Sequence, residues 1–577
     1  MTQSLLNKIR TGTFMCISSV AIFASPGLFA QQGQNVIKIG TAQALAKHLQ
    51  EAKLNERSSI TIQTTESTLP LVINVNTADR IIGGIEGKAG SNVFFDFVNG
   101  KIEGKVILNN EKKAYHYFSD AAGNVFVELA DINKLVCVDM YNSPMEPAAE
   151  IAANKVSYAV PELESLPGET AVILLDFDGH TCTGKWNSGK QIVAQTSGLT
   201  DAQMTMAFNV TAEDYRPYKV NVTTKESVYQ AAPKNRRMRC VVTPTNTAAP
   251  GAGGVAYIGS FDAGDSDNTP CWVFNLGGNG QTTGETCSHE VGHTVGLNHD
   301  GQTGGGSAYY MGHNGWAPIM GASYNKMGHW SKGEYTNANN KEDDLNIIGT
   351  QNGFTWRADE AGNTVAAAAA LKIETDNSTV NAAKNYGIIL TPTDIDVYSF
   401  KTGAGSITFT VKPAAVHPNL DVLLTITDAS GTVLETANST STMSATITKT
   451  IATTGTYYLH VDGTGKGDAA TGYTGYGSIG EYTIEGKVVA TSVGIEENNK
   501  TISGIYPNPA ADQLNVRLNN AGVMNTINVV NMLGQDLYSV QTDEQLININ
   551  LSNYTKGIYF ITVNNASGSS TAKFVKE

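Results

Sequence analysis

The chain has 577 residues, enough for about three to five domains. Lys and Arg total 39 against 53 Asp and Glu, and a net charge of −14 excludes the basic footprint of a nucleic-acid-binding protein. A hydrophobic fraction of 41% excludes wholesale disorder, and 58 glycines with only 16% charged residues suit exported, β-rich modules.

Lys8 and Arg10 precede a short apolar stretch, 14–23, and a small residue, Ala30, stands just before Gln31 and Gln32. That order predicts a cleavable secretory signal over 1–30. The stretch is too short to cross a bilayer, and nothing later approaches 18 consecutive apolar residues, so no transmembrane segment is expected in the mature form. Beyond the signal, Cys137 is the single cysteine of its region, whereas Cys182, Cys240, Cys271 and Cys287 cluster. In an exported domain these four predict two disulfides of open connectivity.

The pattern predicts a multidomain chain. Residues 31–165 read as a small α+β domain, with a helix over 42–54 and strands over 60–64, 71–75, 93–98, 104–108 and 125–129. Asn99-Gly100 is a hairpin signal, because both residues tolerate positive φ. Residues 166–355 read as mixed α/β, with a buried strand over 171–177, another over 239–243 and a helix beginning near Thr283. Residues 356–488 alternate apolar and polar over 397–400, 407–411, 422–427, 446–450 and 456–461, which predicts an all-β sandwich. A polar linker, 489–502, leads to a second sandwich over 503–577, with strands over 514–518, 527–530, 547–551, 558–563 and 572–575.

The chemistry lies in Cys287-Ser-His289-Glu290-Val-Gly-His293-Thr-Val-Gly296-Leu-Asn-His299-Asp300. On a helix, residues i and i+4 share a face, so His289 and His293 can point at one ion. Gly296 can adopt a left-handed conformation that ends the helix and returns His299 as a third ligand. Three imidazoles leave one position of a tetrahedral Zn²⁺ open, the layout of a catalytic site. Such an ion lowers the pKa of its water to about 7, and Glu290 is placed to take the proton as that water attacks.

This segment resembles the metzincin clan of zinc metalloproteases, whose pattern is H-E-x-x-H-x-x-G-x-x-H, and Asp300 in the next position resembles the reprolysin (adamalysin-like) branch. The resemblance implies a zinc metalloendopeptidase acting on protein or peptide substrates. It also implies that Met320, in Trp316-Ala-Pro-Ile-Met320-Gly-Ala-Ser-Tyr324, forms a floor under the histidines, with Asp300 a structural residue. Tyr324 is expected to be a packed aromatic, and His313 and His329 to be structural or cleft residues. The flanks Leu175-Asp176-Phe177-Asp178-Gly179-His180, Trp330-Ser-Lys-Gly-Glu-Tyr335 and Asn339-Asn-Lys-Glu-Asp343-Asp344-Leu345 look like those of bacterial secreted members. Asp176, Asp178, Asp343 and Asp344 are candidate calcium ligands, with solvated or capping roles as the plainer reading. Residues 253–261 are the segment that would present a sheet edge to an extended substrate. By the same resemblance, 31–165 is a propeptide and 166–355 the catalytic domain, and Cys137 is a candidate latency switch, its thiolate a ligand for the open zinc position.

Asp394-Ile-Asp396-Val-Tyr398-Ser-Phe400, Asn419-Leu-Asp421-Val and Gly455-Thr-Tyr457-Tyr-Leu-His-Val461 resemble the bacterial pre-peptidase C-terminal module. Ile505-Tyr-Pro507-Asn-Pro509, Asn531-Met-Leu-Gly534-Gln535 and Lys556-Gly-Ile-Tyr559 resemble the C-terminal sorting domain of the type IX secretion system. That resemblance implies the type IX machinery as a partner, a route through the periplasm, and a protein that is secreted or held on the outer cell surface. The expected function is therefore a secreted zinc endopeptidase made as a latent preproenzyme. The rival is a surface adhesin or carbohydrate-binding protein in which the sandwiches carry the function and the zinc site is vestigial.

Overall fold

The computed structural model describes residues 36–52, 54, 60–132, 135–138, 159–274, 276–277, 279–304, 308–350, 354–491, 501–519, 522–566 and 568–577. The expected signal and most of the polar linker lie outside these residues.

The N-terminal region is an eight-stranded antiparallel sheet closed by its first strand, Ile37–Thr41, which pairs with the last, Asn124–Ala130. One helix, Ala42–Gln50, packs on it; the Thr41 hydroxyl accepts the Ala44 amide at 3.3 Å as an N-cap. Asn99 and Gly100 both carry positive φ in the hairpin between Lys88–Val98 and Lys101–Leu108, as the sequence predicts. Arg80–Ile85 and Lys113–Ser119 are further strands that the alternation rule misses. In Arg80–Ile85 both sheet faces are covered: Ile81 and Ile85 pack towards the helix, while Ile82 joins a second core shared with the central domain.

The central domain is built on a six-stranded sheet, in spatial order Asn221–Thr223, Val172–Asp176, Arg237–Val242, Cys271–Val273, Gly254–Tyr257 and Val136–Val138. The first four run parallel; Gly254–Tyr257 is antiparallel to its neighbour. The outermost strand, Val136–Val138, comes from the N-terminal region and pairs antiparallel with Gly254–Tyr257, Cys137 standing opposite Ala256. All five residues of Val172–Asp176 are buried, as a parallel strand covered on both faces requires. The helices Asp201–Asp214 and Gln281–Thr294 cover one face. The first opens on a capping box, Thr200 accepting the Gln203 amide at 3.3 Å and Gln203 accepting the Thr200 amide at 2.9 Å. On the other face Val241, Val255 and Trp272 pack with Trp186, Tyr257 and, from the N-terminal sheet, Ile82, Phe94 and Ile107.

The two expected disulfides are not formed: Cys182, Cys240, Cys271 and Cys287 are all free and buried. The sheet explains it in part. Cys240, Cys271 and Cys287 lie in the core on the helix side, while Cys182 lies in the core on the opposite face.

Two sheets over 369–487 make the expected sandwich, and two more over 502–576 make the second, which keeps its own core. The first sandwich is not a separate body. Its buried side chains belong to the same continuous core as the two helices of the central domain. Buried polar contacts cross the same boundary: His417 to Glu285 at 3.0 Å, Asn419 to Asp214 at 2.8 Å, and the Glu481 amide to Glu213 at 2.9 Å. Among the described residues no helix is long and apolar enough to cross a membrane.

Breaking a buried charged pair by removing one partner costs about 3–5 kcal/mol, a large share of a typical stability of about 5–15 kcal/mol. A chain ended after Arg357 leaves Glu285 without His417, and uncovers the shared core as well. That truncation is expected to give insoluble protein with no cooperative melting transition. A chain ended after residue 490 should melt within a few degrees of the full chain.

Candidate metal centre

Gln281–Thr294 is buried from Thr283 through Thr294, so its polar side chains meet protein on every side. The helix ends where Gly296, at φ +111°, donates its amide to the His293 carbonyl at 2.9 Å and Leu297 donates to Gly292 at 3.1 Å. This is the glycine turn expected from the sequence, and it brings His299 back over the helix. One ligand atom from each of His289, His293 and His299 falls within 4.8 Å of the others, and the rings stand 4.7–5.3 Å apart.

The tautomers follow from the partners. Nδ1 of His289 lies 2.8 Å from the Ile319 carbonyl, and Nδ1 of His293 lies 2.8 Å from the Leu297 carbonyl. A carbonyl only accepts, so both Nδ1 atoms carry the proton, and where the ring is neutral its Nε2 presents a lone pair. Burial, and next the neighbouring His289, hold His293 well below the usual histidine value, which keeps it neutral. The two Nε2 atoms nevertheless face each other at 3.0 Å. Two lone pairs at that distance repel, and a cation between them removes the repulsion. Tetrahedral zinc–nitrogen bonds of about 2.0–2.1 Å place adjacent nitrogens about 3.3 Å apart, so the donor set fits zinc.

Glu290 is fully buried and lies against the backbone of Gly254: a Cβ at position 254 would stand 2.3 Å from Glu290 Oε1. Only glycine admits this approach, which sets the carboxyl beside the strand Gly254–Tyr257. Met320 is fully buried in the turn after Trp316–Pro318, and its Sδ would meet a Cβ added at Gly292, between the first two histidines. Asp300 is buried; its amide donates to the Met320 carbonyl at 2.8 Å, tying the end of the motif to that turn. Tyr324 is half-buried.

The tyrosine beside the ligands is Tyr309, whose ring centre lies 4.2 Å from that of His299 and 6.1 Å from that of His289. Nothing in its local sequence, Ala308-Tyr309-Tyr310, singles it out. A cavity of about 730 Å³ opens beside His299 and Tyr309, and its far wall is the N-terminal sheet at Asn109, Lys112 and Leu129.

The calcium candidates are engaged otherwise. Asp176 is clamped by the Arg239 guanidinium at 2.5 Å, so a cationic side chain already stands where an ion would. Asp178 is exposed. Asp343 accepts the Tyr476 hydroxyl at 2.7 Å and the Asn346 amide at 3.0 Å, and Asp344 accepts the Ser331 amide at 2.9 Å. A second group of acidic donors, Asp359, Asp394 and Asp396, lies in the first sandwich. His313 bonds to Tyr310 and to the Gly472 carbonyl, and His329 to the Asn419 carbonyl; both are structural.

Residues 193–300, which include all three histidines, match the family model described as Metallo-peptidase family M12B Reprolysin-like, and residues 504–577 match that of a Secretion system C-terminal sorting domain. No curated protein matches the chain. Among solved structures it is similar to PorZ, a surface component of the type-IX secretion system of Porphyromonas gingivalis, at 17% identity and a TM-score of 0.12. That match covers 18% of this chain and only 15% of PorZ. It is also similar to the pre-peptidase C-terminal domain of collagenase from Bacillus anthracis, at 19% identity and a TM-score of 0.15, over 23% of this chain and 98% of that one. The chain thus carries a reprolysin-like M12B metallopeptidase domain and ends in a type IX sorting domain, which marks it as a secreted or cell-surface protein.

Proposed function

We propose that the protein is a zinc endopeptidase, made as a preproenzyme and held latent by its own N-terminal region. One observation carries the reading: three imidazoles converge beside a buried glutamate that touches the strand Gly254–Tyr257. His289, His293 and His299 hold the ion, and Glu290 is the catalytic base. Zinc, when bound, supplies a Lewis acid and lowers the pKa of water to about 7. Glu290 takes the proton from the attacking water and passes it to the leaving amine. The strand Gly254–Tyr257 pairs with an extended polypeptide, so recognition runs through the backbone and is broad in sequence. Zinc removal by a chelator, and separately Glu290→Ala, should each abolish casein hydrolysis by the mature chain. Activity retained by Glu290→Ala refutes the mechanism, and a parent chain without activity favours a vestigial site. Gly254→Val drives a side chain into Glu290, and a displacement of about 1 Å at a reacting group costs about 100-fold in rate. That variant should lose at least this much kcat while still binding zinc.

Latency is supported by Val136–Val138, which takes the edge that a substrate would use. The Ile258 amide donates to the Leu135 carbonyl at 3.4 Å, which makes Cys137 and Ala256, two residues along, the next mutually bonded pair of the antiparallel ladder. Cys137 therefore has two ways to keep the enzyme silent, through its thiol on the metal or through its backbone on the edge. Cys137→Ser removes the first alone and Cys137→Pro disrupts the second as well. If the thiol is the switch, Cys137→Ser cleaves peptide as fast as the mature enzyme. If pairing suffices, only Cys137→Pro does. Two silent variants would refute latency through this segment.

A further inference from the structure

The first sandwich reaches the metal centre through one loop, between its strands Gly405–Pro413 and Val422–Thr427. Asn419, on that loop, is 3% exposed and touches two chains of hydrogen bonds, one ending at His289 and the other at its neighbour Ser288. In the first, the Asn419 carbonyl accepts from His329 Nε2 at 2.7 Å. The His329 carbonyl in turn accepts the Ile319 amide at 2.8 Å, and the Ile319 carbonyl accepts Nδ1 of His289 at 2.8 Å. In the second, the Asn419 amide nitrogen donates to Asp214 Oδ1 at 2.8 Å, and Asp214 Oδ2 accepts the Ser288 hydroxyl at 2.5 Å. Ser288 directly precedes His289. Two residues before Asn419, His417 donates Nε2 to Glu285 Oε1 at 3.0 Å, one helical turn ahead of His289; Glu285 also accepts the Asn325 amide.

Apart from the half-buried His417 and the exposed Asn325, these groups are buried, which shields their bonds from water, and each fixes the rotation or position of the next. Metal-ligating histidines are oriented by whatever accepts their second ring nitrogen, and losing such a partner costs about 10–100-fold in metal affinity. We propose that Asn419 and His417 are positioning residues of the metal centre. On this proposal, the sandwich is the outer support that aims His289, and the metallopeptidase domain is complete only with it. The proposal rests on the assignment of His289 as a metal ligand.

The test uses the full chain, stripped of metal and titrated with zinc against a chromophoric chelator, with Co²⁺ in parallel for its visible spectrum. Asn419→Ala is expected to weaken zinc binding about 10–100-fold and to shift the cobalt bands. His417→Ala should weaken it too, and His417→Gln, whose amide can still donate to Glu285, should restore it to within about threefold of the parent. Leu424→Ala cuts a cavity in the sandwich core without removing any of these hydrogen bonds and controls for destabilisation alone. It should lower the melting temperature and leave zinc affinity and the cobalt spectrum unchanged. An Asn419→Ala chain that binds both metals as the parent does overturns the proposal, and so does a Leu424→Ala chain that loses affinity equally. His289→Ala separates the two levels: if it keeps parental zinc affinity, the assignment of the site itself fails.

Discussion

A helix that buries two glutamates, two histidines and four hydroxyls is stable only where these polar groups find partners. Gln281–Thr294 is buried along almost its whole length, and the surrounding architecture can be read as the set of partners it requires. The Asp201–Asp214 helix supplies Asp214 to Ser288, and just past its end the Tyr215 hydroxyl donates to the Ser288 carbonyl at 3.1 Å. The turn after Trp316–Pro318 supplies the Ile319 carbonyl to His289. The segment after Gly254–Tyr257 supplies the amides of Gly259 and Phe261 to the carbonyls of His293 and Thr294, both at 2.9 Å. The sandwich supplies His417 to Glu285. Four stretches of chain, separated by up to 200 residues, are needed to solvate one helix.

That constraint separates what was legible in the sequence from what was not. His289, His293, Gly296 and His299 were legible because their relation is local: helical spacing and one glycine turn place them, whatever the rest of the chain does. The strands of both sandwiches were legible for the same reason, since alternation reports a sheet with one wet face. Arg80–Ile85 escaped because both its faces are buried and its pattern holds no alternation. Gly254 was visible only as part of an edge segment; its approach to Glu290 is a contact between positions 36 residues apart. Tyr309 and the 417–419 loop are further examples, the loop joining the helix across more than 120 residues of chain. The four cysteines misled because proximity in sequence put them together while the sheet put Cys182 on its other face.

The sandwich shows the cost of reading domains as beads. Its strands pair among themselves in two sheets. Its core, however, is continuous with that of the central domain, and polar groups also pair across the junction. Buried polar contacts of this kind are specific: they are satisfied in one relative placement and leave unpaired groups in any other. The second sandwich has a core of its own, which suits a domain whose role in sorting is separable from the protease.

The N-terminal sheet occupies the central domain in two different ways, and they differ in what a single cut would do. Val136–Val138 pairs with Gly254–Tyr257 over three residues, a contact that a competing strand replaces readily once the segment is loose. Behind it, Phe94 packs edge-on to Tyr257 at 5.6 Å, Trp186 stacks on the same tyrosine at 4.3 Å, and Ser188 is held by Asn92 and Ser91. Arg80 adds an ion pair to Asp265 at 2.6 Å. These contacts bury an apolar face of the catalytic sheet that would otherwise meet solvent, so they persist when the connecting chain is cut. Separating Val136–Val138 from Gly254–Tyr257 and separating the whole N-terminal sheet from the central domain therefore have separate energetics. The first depends on three residues of backbone pairing and the second on an extended apolar core.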